Sequence, residues 1–211
     1  MVDPRRHTEQ GNERKQQLLA AAEQLFTERG YAATRISDIC AAAGVAKGLF
    51  YWYFPTKESL FAELVRAMRQ NLRRAQAAAM DPDADPVTRI RQGAEASVRF
   101  MAEHQPYFAL LDVERTDDAV ADVLKEGSDV YASDVRRLVA EAQAAGLVPD
   151  ADPAFYAMGV MGAVSSFSNA HRMGRLQMPI DDLARLVGEW VTRAVTGRAA
   201  VPAPGGDAAT L

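Results

Sequence analysis

Lys47, Tyr51, Trp52, Tyr53 and Lys57 crowd into one short stretch of the chain. Two ammonium groups bring charge and hydrogen-bond donors, and three rings bring flat apolar faces with polar edges. Such a set suits a polyanion carrying stacked bases, because lysines pair with phosphate oxygens while rings lie against sugar or base edges. A soluble protein that exposes aromatic rings at this density needs a partner for them. Groups suited to catalysis are sparse. His7, His104 and His171 are scattered, and Cys40 is the single cysteine. The chain has no His-Glu-x-x-His zinc motif, no Gly-x-Ser-x-Gly nucleophile turn and no phosphate-binding glycine loop. No catalytic residue, metal or cofactor is therefore expected, and Cys40 reads as a small buried hydrophobe.

Two short helices have to position the lysine–aromatic cluster. The stretch TRISDICAAAGVAKGLFYWYFPTK, residues 34–57, predicts one helix from about Ile36 to Ala43 and another from Ala46 to Tyr53. Gly44 supplies the tight turn between them, and Val45, Ile39 and Phe50 lock their apolar faces. That is a helix-turn-helix, whose second helix fits a major groove. Upstream, Leu18, Leu19, Ala22, Leu25 and Phe26 mark one face of a helix from Asn12 that Gly30 ends. Downstream, Thr56 is a good N-cap for a long helix in which Leu60, Phe61, Leu64, Val65, Met68 and Leu72 recur at helical spacing. Residues 80–86, MDPDADP, read as a loop, and further helices are expected near 87–104, 106–115, 118–145, 153–171 and 181–196. The expected fold is all-α, with about nine helices. The tail 198–211, rich in Pro, Gly and Ala, reads as disordered.

The segment AAAGVAKGLFYWYFPTKESL resembles the DNA-binding signature of the TetR family of bacterial transcriptional repressors: Ala-Gly-Val, a Lys-Gly pair, Tyr-x-x-Phe, then Lys-x-x-Leu. The preceding LFTERGYAATRISDIC resembles the end of that family's first helix and the start of its second, so the likeness covers about residues 12–64. Two positions depart from the pattern: Ala46 stands where the family usually has Ser, and Tyr53 where it often has His. The resemblance implies an N-terminal helix-turn-helix DNA-binding domain, residues 1–57, and a C-terminal effector-binding and dimerisation domain, residues 58–197. It makes Thr34 and Ser37 contacts at the start of the second helix. Lys47 and Gly48 would open the recognition helix, with Leu49 facing a base edge. Tyr51, Trp52 and Tyr53 would reach phosphate or groove edges, and Lys57 would bind phosphate.

Composition fits a soluble cytoplasmic protein: 48% hydrophobic, 25% charged, a net charge of −4, and an N-terminus without an apolar secretory stretch. The charge is uneven. Residues 1–57 carry eight Lys/Arg against six acids, while the rest carries 16 against 22, so one end alone is basic. A homodimer would place two recognition helices on a palindromic operator. Gly159, Gly162 and Ser166, with Leu183, Leu186, Val187, Trp190, Val191 and Ala194, are the predicted pairing surface. Met68, Phe100, His104, Phe108, Leu111, Tyr131, Met158, Met161, Ser165 and Asn169 are the predicted lining of a chamber for a largely apolar small-molecule effector. A DNA-binding regulator or activator without an effector is the alternative, and a helical enzyme the remote one.

Overall fold

The computed structural model describes residues 4–114 and 132–197. Every regular element among them is a helix: α1 (Pro4–Arg29), α2 (Ile36–Ala42), α3 (Lys47–Tyr53), α4 (Lys57–Ala79), α5 (Pro86–Glu103), α6 (Gln105–Glu114), α7 (described over 132–144), α8 (Pro153–Arg172) and α9 (Ile180–Thr196). Helix α1 starts two turns earlier than Asn12. The expected tail 198–211 lies outside the described residues, as does the first half of the expected helix 118–145.

Local chemistry sets the boundaries. Gly30, at φ 82°, closes α1 in a left-handed conformation that a Cβ disfavours, and Gly44, at φ 64°, makes the turn between α2 and α3. Thr56 caps α4 through a reciprocal pair: its hydroxyl accepts the Ser59 N–H at 3.1 Å, and the Ser59 hydroxyl accepts the Thr56 N–H at 3.2 Å. Asp85 accepts the N–H groups of Val87 and Thr88 at the start of α5, with Pro86 as first helical residue. Asp152 and Pro153 start α8 in the same way.

Two apolar cores result. Leu18, Ala22, Phe26, Ile39, Phe50, Phe61 and Val65 build the first from α1 to α4, and the rings of Phe26, Tyr31 and Phe61 meet at 5.1–5.8 Å between centroids. Phe100, Tyr107 and Leu110, from the end of α5 and from α6, complete this core. Burial pushes the Tyr107 phenol well above its ordinary pKa, so it stays neutral there. The second core lies among α5, α7, α8 and α9, around Val98, Val139, Ala157, Leu183, Val187 and Val191. Helices α5 and α9 approach closely at Gly188, where an added Cβ would lie 2.7 Å from Glu95. Across the helices, Arg89 of α5 pairs with Glu141 of α7, and Arg73 of α4 pairs with Asp134 of α7 at 2.8 Å. Among the described residues, no helix is long and apolar enough to cross a membrane.

Candidate nucleic-acid interface

The α2–α3 pair is held from one side only. Phe50 is fully buried, Ile39 and Cys40 face the same core, and Phe54 closes the end of α3. Desolvation raises the Cys40 thiol pKa, against the opposing field of Lys47, so this cysteine is an inert core residue. With that side anchored, α3 turns Lys47, Gly48, Tyr51 and Trp52 outward. Trp52 is 74% exposed and Tyr51 48%, although both are large rings on a short helix. Lys47 and Gly48 are exposed at its first turn, Leu49 is half-buried, and the Lys47 ammonium lies 5.9 Å from the Tyr51 ring centroid. An added Cβ at Gly48 would meet nothing, and its φ is not in the left-handed region. The fold itself therefore makes no demand for glycine there. A small residue on an outward first turn lets another molecule approach the backbone. Ser37 is exposed on the first turn of α2.

Three of the predicted contacts turn inward. Thr34 is 1% exposed, and its hydroxyl donates to the carbonyls of Gly30 at 2.8 Å and Leu25 at 3.3 Å. It ties the α1–α2 turn together and has no surface to offer DNA. Tyr53 is half-buried, and its hydroxyl donates to the Gly11 carbonyl of α1 at 2.7 Å. Lys57 donates to the carbonyls of Tyr31 at 2.8 Å and Thr34 at 3.1 Å, with its ammonium 4.1 Å from the Tyr31 ring centroid. The turn after Gly30 leaves these carbonyls without helical partners, and Lys57 satisfies them. Beside it, the Glu58 carboxyl is held below its ordinary pKa by its own backbone N–H first and then by the Thr56 hydroxyl. A fixed negative charge at this helix start disfavours a phosphate there. Arg35, exposed at the N-cap of α2 beside Ser37, was not among the predicted contacts. Its position in TRIS, between two predicted contacts, was the available signal.

The chain matches the model for bacterial regulatory proteins of the tetR family over residues 18–64. It also matches a tetracyclin repressor-like C-terminal domain over residues 83–172. The chain belongs to the TetR family. Among relatives, the HTH-type transcriptional regulator TtgR of Pseudomonas putida is 37% identical over 93 residues, 42% of this chain and 42% of that protein. The transcriptional repressor KstR2 of Mycobacterium tuberculosis is 34% identical over 95 residues, 45% of this chain and 48% of that protein. These matches span less than half of each relative's length. A TetR-family regulator from Syntrophomonas wolfei superposes with a TM-score of 0.80 at 18% identity, over 90% of this chain and 98% of that one. This TetR-family chain carries the helix-turn-helix α2–α3 within its matched N-terminal segment.

In the C-terminal half of the chain, the predicted pairing surface divides in two. Gly159, Gly162, Ser166, Leu186, Trp190 and Ala194 are exposed. Leu183, Val187 and Val191 are instead buried against α5 and α8, at 2%, 2% and 0% exposure, and belong to the protomer's own core. The predicted chamber also divides. Met158 is 72% exposed and Ser165 is exposed, so both lie on the outer face of α8. Met68 and Phe100 are core residues of the N-terminal unit, with Phe108 and Leu111 packed against them. His104 stacks on Phe100 at 4.1 Å, its Nδ1 3.0 Å from the Phe100 carbonyl oxygen. Met161 and Asn169 are half-buried, and Tyr131 lies outside the described residues. A cleft of about 30 Å³ opens elsewhere, among Gln76, Met80, Gly93, Asp134, Leu138 and Val160. Gln76 is buried beside it and donates to the Ser97 hydroxyl at 2.8 Å, which in turn donates to the Gly93 carbonyl at 2.7 Å. These residues were missed because an isolated Gln on a helix carries no sequence signal. Among the described residues, no cluster of His, Cys, Asp or Glu is arranged to hold a metal ion.

Proposed function

We propose that the chain is a cytoplasmic repressor that binds a palindromic operator as a homodimer and is released by a small-molecule effector. The outer face of α3 carries the reading: Lys47, Gly48, Tyr51 and Trp52 are exposed on a helix whose opposite side is anchored in a core. Residues 1–57 are the reader, and residues 58–197 the sensor and dimerisation unit. Leu49 and Ser37 lie at the edges of the contact surface, and Arg35 adds a cation to it. A groove-binding helix of this kind works in pairs, with half-sites about 34–36 Å apart.

The exposed faces of α8 and α9 supply the pairing surface. Phe155, Met158, Leu186 and Trp190 are large apolar groups left open to solvent, at 71%, 72%, 43% and 49%. An apolar patch of this kind marks an interaction surface. Added Cβ atoms at Gly159 and Gly162 would meet nothing within the protomer, which leaves room for a partner helix. Two α8–α9 pairs would then form a four-helix interface. For the effector, a largely apolar ligand entering beside Gln76 would separate α4 from α5 and α7. Because α4 runs from there to the reader, the spacing of the recognition helices would change, and operator affinity would fall by the ligand's differential binding to the two states.

Selection of bound duplexes from random-sequence DNA, followed by footprinting, tests the reading. The expected result is two symmetric half-sites one helical turn apart, bound by a particle of dimer mass in light scattering. A strict monomer at micromolar concentration, or a footprint without symmetry, would overturn the dimeric operator. An effector is identified by release of that duplex at saturating ligand, and unchanged affinity rejects the ligand tried.

A further inference from the structure

We infer that Tyr53 is a positioning residue: it aims Trp52 toward DNA by bonding to the N-terminal turns of α1. The inference rests on α3 being the DNA-contacting helix. Trp52 is 74% exposed, so the protein covers little of its indole. The ring contact that the indole makes is with the side chain of Tyr53, edge to face, at 4.5 Å between centroids and 89° between planes. Tyr53 is in turn fixed at its far end, where its hydroxyl donates to the Gly11 carbonyl at 2.7 Å. A helical carbonyl has a second lone pair free for such a donor. Gly11 precedes the start of the family-wide match at residue 18 by seven residues, which at helical rise is about 10 Å along α1. The N-terminal extension of α1 therefore reaches the recognition helix through one hydrogen bond, and the aromatic pair passes that constraint to the indole.

A hydroxyl bonded to α1 and a hydroxyl bonded to a phosphate give different results when the acceptor is removed. The probe is a duplex selected from random-sequence DNA by the wild-type protein. Tyr53→Phe is expected to weaken its binding about five-fold, the effect of one lost hydrogen bond. In a protein lacking residues 2–11, the same substitution is expected to change affinity by less than about two-fold, because the acceptor is already gone. With 5-fluorotryptophan at both Trp52 and Trp190, Tyr53→Phe is expected to shift the Trp52 fluorine resonance, assigned with Trp52→Phe, and to leave that of Trp190 in place. Equal loss of affinity in both backgrounds overturns the inference. So does an unmoved Trp52 resonance. If the shortened protein melts before it can be assayed, the fluorine spectrum of the full chain decides. Failure of the wild-type protein to select any duplex would instead remove the DNA reading on which the inference stands.

Discussion

Lys57→Met separates a lysine that binds DNA from one that holds the reader together. Methionine keeps most of the aliphatic stem and removes the ammonium. Two donor bonds are lost, to the carbonyls of Tyr31 and Thr34 at 2.8 and 3.1 Å, together with the contact over the Tyr31 ring at 4.1 Å. Bonds from a charged donor contribute about 1.5–3 kcal/mol each when buried, and a cation over a ring adds about 0.5–1 kcal/mol at an exposed site. Lys57 is half-buried, so the lower ends apply and the two carbonyls regain some water. The expected loss is about 2–4 kcal/mol of the stability of the unit that contains the reader. For a chain of this size, that lowers the thermal midpoint by about 5–15 °C. Circular dichroism melts measure this directly. Binding to a selected duplex, titrated well below the lowered midpoint, is expected to keep the wild-type salt slope. A midpoint within about 1 °C of wild type, with a slope reduced by about 0.9, would refute the reasoning and make Lys57 a phosphate ligand.

Other substitutions test the remaining assignments. Trp52→Ala is expected to lower operator affinity by about 1–3 kcal/mol, read by fluorescence anisotropy of labelled DNA, with an unchanged melt because the side chain is 74% exposed. Trp190→Glu, on the outer face of α9, is expected to give a folded monomer in light scattering. Leu183→Glu, at 2% exposure on the inner face, is expected to unfold the C-terminal unit by burying a charge. Asp85→Ala removes the α5 cap and is expected to cost about 1 kcal/mol. Hydrogen bonds from the Thr88 hydroxyl and then the Thr88 N–H hold the Asp85 carboxyl below its ordinary value of 3.8. The cap's contribution is therefore complete above that value and disappears as pH falls through the lower folded-state pKa. Denaturant melts of both proteins at neutral pH and at successively lower pH should accordingly draw together as the solution is acidified.

The helices were legible because their punctuation is chemical. Gly30, Gly44, Thr56 and Asp85 each do in the structure what their type predicts, and the aromatic spacing around Phe50 separates one buried side from one open side. Direction was harder to read. Thr34, Tyr53 and Lys57 are polar residues in a DNA-binding segment, and their types suit a phosphate as well as a main-chain carbonyl. Which acceptor each takes depends on where α1 and its closing turn lie in space, and local spacing does not encode that. On α9, Leu183, Leu186, Val187, Trp190 and Val191 form a single broad stripe in sequence. Close packing against α5 at Gly188 decides that Leu183, Val187 and Val191 go inside, while Leu186 and Trp190 stay out. The Gln76–Ser97 bond beside the cleft joins residues on different helices, so no local pattern announces it.

Phe100, Tyr107 and Leu110 bring a consequence for anyone exchanging parts between regulators. The reader's interior is finished by side chains that come after residue 99, beyond both the α4 helix and the loop that follows it. Grafting residues 1–57 of this chain onto a foreign sensor would leave Phe26 and its neighbours facing an α6 shaped for another protein. A working chimera has to carry the matching surface of α6 with it, and hybrids joined without that surface should be recovered mainly as insoluble chains.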